Sequence, residues 1–183
     1  MKDLKIGNVR KKNKTTRVII VRHGETVGNI EGGFQGRTDS ALTPKGERQA
    51  FLAAQRLKDQ NITKIYSSPL SRAIKTAEII RGTHDIEILT DDRLLEIDCG
   101  EWEGKSYDEA NEMFPESMYE WEQEPHKHVM PGGESISQVL ERVSEVFKEV
   151  VSDNSGNKYV MRYPSSLLRH IEHKHSLESK NEK

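Results

Sequence analysis

Arg22-His23-Gly24 stands directly behind Val18-Ile19-Ile20-Val21, a short, unbroken β-branched run. These three residue types can handle a phosphate together. Arginine offers a planar fork of donors that matches phosphate oxygens. Glycine lets the main chain approach a bound anion closely. A neutral imidazole nitrogen can attack phosphorus and carry the phosphoryl group as a covalent intermediate. Alone, the Arg-His pair reads more simply as a hydrogen-bonded histidine at a strand end beside a surface charge. A second arginine shifts that balance. Arg72 follows Ser67-Ser68-Pro69-Leu70-Ser71 in the first turn of a helix, where the dipole disfavours a cation. An anion in front of it, held by the guanidinium and the helix N–H groups, accounts for the placement. The penalty is only roughly a few tenths of a kcal/mol, so an arginine turned to solvent also fits.

The elements that must position these residues alternate along the chain. Val18 to Val21 reads as a strand covered on both faces. Thr43 caps a helix with Pro44 at its first position and an apolar stripe at Ala50, Ala53, Ala54 and Leu57. Ile62 to Tyr66 makes a second strand. Ser68-Pro69 opens a second helix with Leu70, Ala73, Ile74, Ala77 and Ile80 on one face and Gly82 past its end. Ile86 and Ile88 alternate in a third strand. Ser106 with Glu109 forms a capping box for a short helix ending before Pro115. Ser135 with Gln138 starts the longest helix, whose stripe is Ile136, Val139, Leu140, Val143, Val146, Phe147 and Val150. Tyr159 to Tyr163 supplies a last strand. The order predicts an α/β fold, a mostly parallel sheet with helices on both faces, in three αβα layers. Ligands of such sheets bind beyond the carboxyl ends of the strands, which is where Arg22 and His23 lie.

Several linked motifs resemble the histidine phosphatase superfamily, in its phosphoglycerate-mutase-like branch. They are Arg22-His23-Gly24-Glu25-Thr26 with Asn29, Phe34-Gln35-Gly36-Arg37, and Leu42-Thr43-Pro44-Lys45-Gly46. Ser67 to Ala73 with Thr76-Ala77-Glu78 is similar to the family's second arginine motif. Leu95-Glu96 with Gly100-Glu101-Trp102-Glu103-Gly104 is similar to its acid motif, and Pro131-Gly132-Gly133-Glu134-Ser135 to the loop before its long helix. The resemblance covers about Val18 to Val151 in the family's order and spacing. It implies a phosphoglycerate-mutase-like fold and phosphomonoester hydrolysis that needs no metal and no other cofactor. It makes His23 the nucleophile and Arg22 and Arg72 the clamp on the phosphoryl oxygens. Gly24, Asn29, Gln35 and Gly36 surround the phosphate or the leaving group. Glu96 becomes the general acid for the leaving oxygen and then the base for water. Without the motif, Glu96 reads as a surface carboxylate paired with Arg93. The chain resembles the small phosphatases, α-ribazole-phosphatase-like or broad-specificity, more than the mutases. Trp102 and Trp121 either wall the leaving-group pocket or pack in the core.

The pattern breaks at the end. The family places a second catalytic histidine at the end of the last strand, and an ungapped alignment puts Pro164 there. Proline carries no side-chain donor and no charge, and Arg162 stands where an apolar residue is expected. Reduced activity follows from the resemblance. Two accounts remain open: a natural variant, or a frameshift. Codons for Arg-Tyr-Pro-Ser read one nucleotide later permit Val-Thr-His. The leading reading is a histidine phosphatase. A catalytically impaired phosphate-ligand-binding relative comes second and a phosphoglycerate mutase third.

The rest of the chain sets limits. Its 183 residues suit one domain, and 28 basic against 30 acidic residues leave a net charge of −2. No global field draws it to nucleic acid or an acidic membrane. Cys99 is the only cysteine, which excludes an internal disulfide and speaks against a cysteine-based metal site. Without an apolar run of about 20 residues or a leader pattern, the expectation is a cytoplasmic protein acting on a small-molecule phosphate ester. Residues 1–17 hold seven basic side chains against Asp3 and read as a flexible arm, residues 18–171 as a C-terminally incomplete domain, and 172–183 as a polar tail. His170, His173 and His175 make too sparse a set for a metal cage. His84, His126 and His128 read as solvated loop histidines.

Overall fold

The computed structural model describes residues 16–153, 157–162, 164 and 166. Four strands, β1 (Arg17–Val21), β2 (Lys64–Ser67), β3 (Glu87–Thr90) and β4 (Lys158–Arg162), form one parallel sheet in the order β1-β4-β2-β3. The last strand is therefore central. Tyr159, Val160 and Met161 of β4 are each no more than 1% exposed, as a run covered on both faces requires.

Alternation along the strands sorts the core into two layers. Tyr159 and Met161, with Val18 and Tyr66, pack toward α6 (Ile136–Asp153) and its buried Val139, Val143, Val146 and Val150. Val160 and Ile65, with Ile19, Val21 and Ile88, pack toward α2 (Pro44–Leu57) and α3 (Ser71–Arg81) through Ala53, Leu57, Ala77 and Ile80. Helices thus cover both faces, as predicted. Each fully buried Val or Ile contributes about 1.5–3 kcal/mol, so the helices are held mainly by this burial.

Several boundaries move. α3 begins at Ser71, not at Ser68-Pro69, with Leu70 in an extended conformation before it. The cap comes from across the chain: both carboxylate oxygens of Asp39 accept from Ser71 N at 3.0 and 3.1 Å. Pro115 ends the helix α4 (Tyr107–Met113) but also opens α5 (Pro115–Gln123), where its missing N–H costs nothing. A short α1 (Val27–Glu31) was not expected either; Thr26 and Asn29 cap it reciprocally. On α6, Leu140 and Phe147 of the proposed stripe are 47% and 39% exposed, so the packed stripe is Ile136 with the four valines. β1 starts at Arg17, whose N–H donates to Asn157 O at 3.0 Å, one residue inside the arm read from the sequence. Residues 1–15 of the arm and the tail, with His170, His173 and His175, lie outside the described residues. Among the described residues, no helix is long and apolar enough to cross a membrane.

Candidate active site

Three strand ends converge on one cavity. His23 follows β1, Arg72 lies in the first turn after β2, and Ser166 follows β4. The cavity has a volume of about 490 Å³. Six of the eight residues proposed from sequence line it: His23, Asn29, Gln35, Gly36, Arg72 and Glu96. Gly24 is buried behind His23, and Arg22 is exposed and outside the lining.

His23 is only 7% exposed. Its Nδ1 lies 2.8 Å from Gly24 O. A carbonyl oxygen can only accept, so Nδ1 carries a proton, and in the neutral ring the lone pair sits on Nε2. The loop that holds the ring is tied at several points. Gly24 N donates to Thr76 Oγ1, which itself donates to Arg72 O, linking the two motifs through one hydroxyl. Glu25 accepts from Thr43 Oγ1 at 3.0 Å and Lys45 Nζ at 2.7 Å, binding the loop to the start of α2. Gly24 and Gly46 pack back to back: a Cβ on Gly24 would collide with Gly46 main chain, and one on Gly46 with Glu25 main chain. Only glycines allow this approach.

Arg72 is 1% exposed. Its Nη1 donates to Thr38 O at 2.8 Å and its Nη2 to Gly36 O at 2.7 Å. Among the described residues, Nε is buried with no hydrogen-bond partner, as is Nε2 of Gln35. A buried donor left unpaired costs about 1–3 kcal/mol, so the wall of this cavity has hydrogen-bonding capacity to give an anion. Asp39 Oδ1 lies 3.8 Å from Arg72 Nη1, so the anion called for at this helix start is in part a side chain of the protein itself. Burial pulls the Arg72 pKa below its ordinary value, opposed by the charges of Glu96, Asp39, Glu103 and Cys99. The loop that Arg72 grips is held from its other side by Glu103, which accepts from Arg37 N at 2.6 Å and Thr38 N at 2.9 Å. At Gly36, with φ of 49°, a Cβ would strike the Glu103 carboxylate.

Glu96 is 5% exposed, and Arg93 pairs instead with Asp91 and Glu149. Its Oε1 accepts from Ile97 N at 3.1 Å and from Ser166, by N–H at 3.2 Å and by hydroxyl at 2.6 Å. Ser166 was not singled out from sequence, because it lies beyond the motif-bearing stretch. Pro164 is buried and outside the cavity lining. Phe34, Tyr107, Trp121, Met130 and Ile136 supply the apolar part of the cavity lining. Trp121 thus lines the cavity, whereas Trp102, 0% exposed, is core. His128 corrects the solvated-loop reading: its side chain is 6% exposed, stacks on Trp102 at 5.8 Å, and has Ser117 Oγ 2.9 Å from Nε2. Sequence spacing gave no sign of this, since the aromatic partner is distant in the chain.

The sequence matches the histidine phosphatase superfamily (branch 1) over residues 18–171. Phosphoserine phosphatase 1 of Hydrogenobacter thermophilus is 41% identical over 134 residues, which cover 73% of this chain and 64% of that protein. A probable phosphoglycerate mutase GpmB of Erwinia tasmaniensis is 34% identical over 139 residues, covering 74% and 63%. The chain therefore spans slightly less than two thirds of these relatives. Among solved structures, YhfR of Bacillus stearothermophilus superposes with a TM-score of 0.78 at 38% identity, covering 81% of this chain and 74% of that one. By sequence and by fold alike, the chain belongs to the histidine phosphatase superfamily.

Proposed function

We propose that the chain hydrolyses small phosphate monoesters through a phosphohistidine on His23, without a metal ion. The observation that carries this reading is the meeting of His23, Arg72 and Glu96 on one cavity, with Nδ1 of His23 committed to a carbonyl. In the first step the Nε2 lone pair attacks phosphorus, the P–O ester bond breaks, and the leaving oxygen takes a proton from the Glu96 carboxyl. In the second, water attacks phosphorus and gives its proton to the Glu96 carboxylate. The N–P bond breaks, and inorganic phosphate leaves. Arg72 and the donors of Asn29, Gln35 and the Gly36 main chain stabilise the charge on the transferring group, while Gly24, its N–H held by Thr76, lets the His23 loop pack against α2. Arg22 supplies a second guanidinium by turning its exposed side chain inward. The leaving group lies against Phe34, Tyr107 and Trp121. Residues 18–171 are the catalytic unit.

Phosphate release from p-nitrophenyl phosphate in the presence of EDTA, lost in His23→Ala by on the order of 10⁴-fold or more, is the expected result. Dependence on an added divalent ion, or an active His23→Ala, refutes the scheme. Pro164 favours a second reading, a phosphate-ligand-binding relative with little turnover. It predicts a melting shift with inorganic phosphate and no hydrolysis. A mutase would instead move the phosphoryl group between two hydroxyls of one substrate.

A further inference from the structure

The Pro131 to Ser135 motif has no part in the chemistry above, yet the structure gives its glutamate a mechanical one. Glu96 sits at the end of an irregular segment: a 3-10 turn, Asp92–Leu94, then extended chain. The carbonyls of such a segment have no helix or strand to pair with, and a carboxyl at its end is only as well placed as they are. Arg142 of α6 takes over that task. Its Nη1 donates to Arg93 O and to Leu95 O, both at 2.7 Å, and its Nη2 donates to Glu96 O at 3.1 Å. The remaining donors go to Glu134, Nε to Oε1 at 3.1 Å and Nη2 to Oε2 at 2.9 Å. The planar fork is fully used.

Glu134 is in turn fixed. Its Oε2 accepts from Asp98 N at 3.1 Å, and its own N–H donates to Asp98 O at 2.9 Å. Arg37 Nη2 lies 3.1 Å from Glu134 Oε1, and Arg37 Nη1 3.1 Å from Asp98 Oδ2. Arg37 belongs to the same loop whose Gly36 and Thr38 carbonyls Arg72 holds. One chain of charges, Arg37–Glu134–Arg142, therefore runs from the Arg72 loop to the backbone of Glu96.

We propose that Arg142, oriented by Glu134, is a positioning residue for the proton transfer of Glu96. The inference rests on Glu96 being the general acid. Misplacement of a catalytic group by about 1 Å costs on the order of 10²-fold, and only in steps that use that group. The test is a leaving-group comparison of kcat/KM. p-Nitrophenolate departs without a proton, whereas the alkoxide of glycerol 2-phosphate needs one. Arg142→Lys keeps the charge but cannot span three carbonyls, and Glu134→Gln removes the charge that aims it. Both are chosen because Arg142→Ala risks the fold.

For each variant the expected loss is about tenfold to 10²-fold greater on glycerol 2-phosphate than on p-nitrophenyl phosphate. In Glu96→Gln, adding Arg142→Lys should cost little more. Equal losses on the two esters, or losses that multiply with Glu96→Gln, overturn the proposal while the phosphatase reading stands. No nitrophenol release by the unmodified chain overturns that reading, and the proposal with it.

Discussion

β1 and β4 lie side by side, with Val21 in register with Arg162, yet their ends are built differently. Past β1 the chain enters a loop held by Thr76, Thr43 and Lys45, with the imidazole oriented by its neighbour's carbonyl. Past β4 come Pro164, which has no N–H to offer, and Ser166, whose N–H and hydroxyl both go to Glu96. One end presents an imidazole to the cavity. The other supports a carboxylate that comes from elsewhere in the chain. On the proposed function, the nucleophile and the neighbouring strand end are thus held by separate contacts.

Three changes would break or sharpen that contrast. The largest effect is expected from giving the end of β4 a direct part in phosphate binding, with Arg162→Val, Tyr163→Thr and Pro164→His together. A donor added to the oxyanion clamp should raise kcat by about 10²–10³-fold, measured by phosphate release. No gain would mean the second histidine is not what limits this chain. Sequencing the gene around Arg162 separates the two origins of this segment, since a frameshift requires Val-Thr-His in the shifted frame. A smaller effect is expected from Ser166→Ala. Losing a hydrogen bond to Glu96 should lower kcat/KM by about tenfold or less on alkyl phosphates. A loss as large as that of Glu96→Gln would make Ser166 a principal group rather than a support.

The smallest effect is on stability. Burial raises the Glu134 pKa, but the bonds from Arg142 and Asp98 and the charges of Arg142 and Arg37 outweigh it. The net direction is down from 4.5. Its stabilisation is therefore complete above the unfolded value and is lost as pH falls through the lower folded one. Denaturant unfolding should show Glu134→Gln weakening the protein near neutrality and losing less on acidification than the unmodified chain. Identical pH slopes would remove Glu134 from the acid response.

Local signals carried much of this fold and site. Thr43 caps a helix with Pro44 at its first position, Ser106 with Glu109 and Ser135 with Gln138 are reciprocal caps, and all three helices start where those residues place them. His23 and Arg72 were legible because a strand end and a helix start are local features. Asp39 capping α3, Arg142 holding Glu96 and His128 stacking on Trp102 were not, because each joins residues far apart in sequence. The helix before Pro115 ends as its sequence predicts, but that the same proline opens α5 was not legible, because one proline can close a helix and open the next.

The paired glycines 24 and 46 restrict how this protein can diversify. No side chain larger than hydrogen can be added at either without prising the His23 loop off α2. On the proposed function, a change in what the cavity accepts would fall instead on Phe34, Tyr107 and Trp121, which line it and can change in bulk while the two glycines stay fixed.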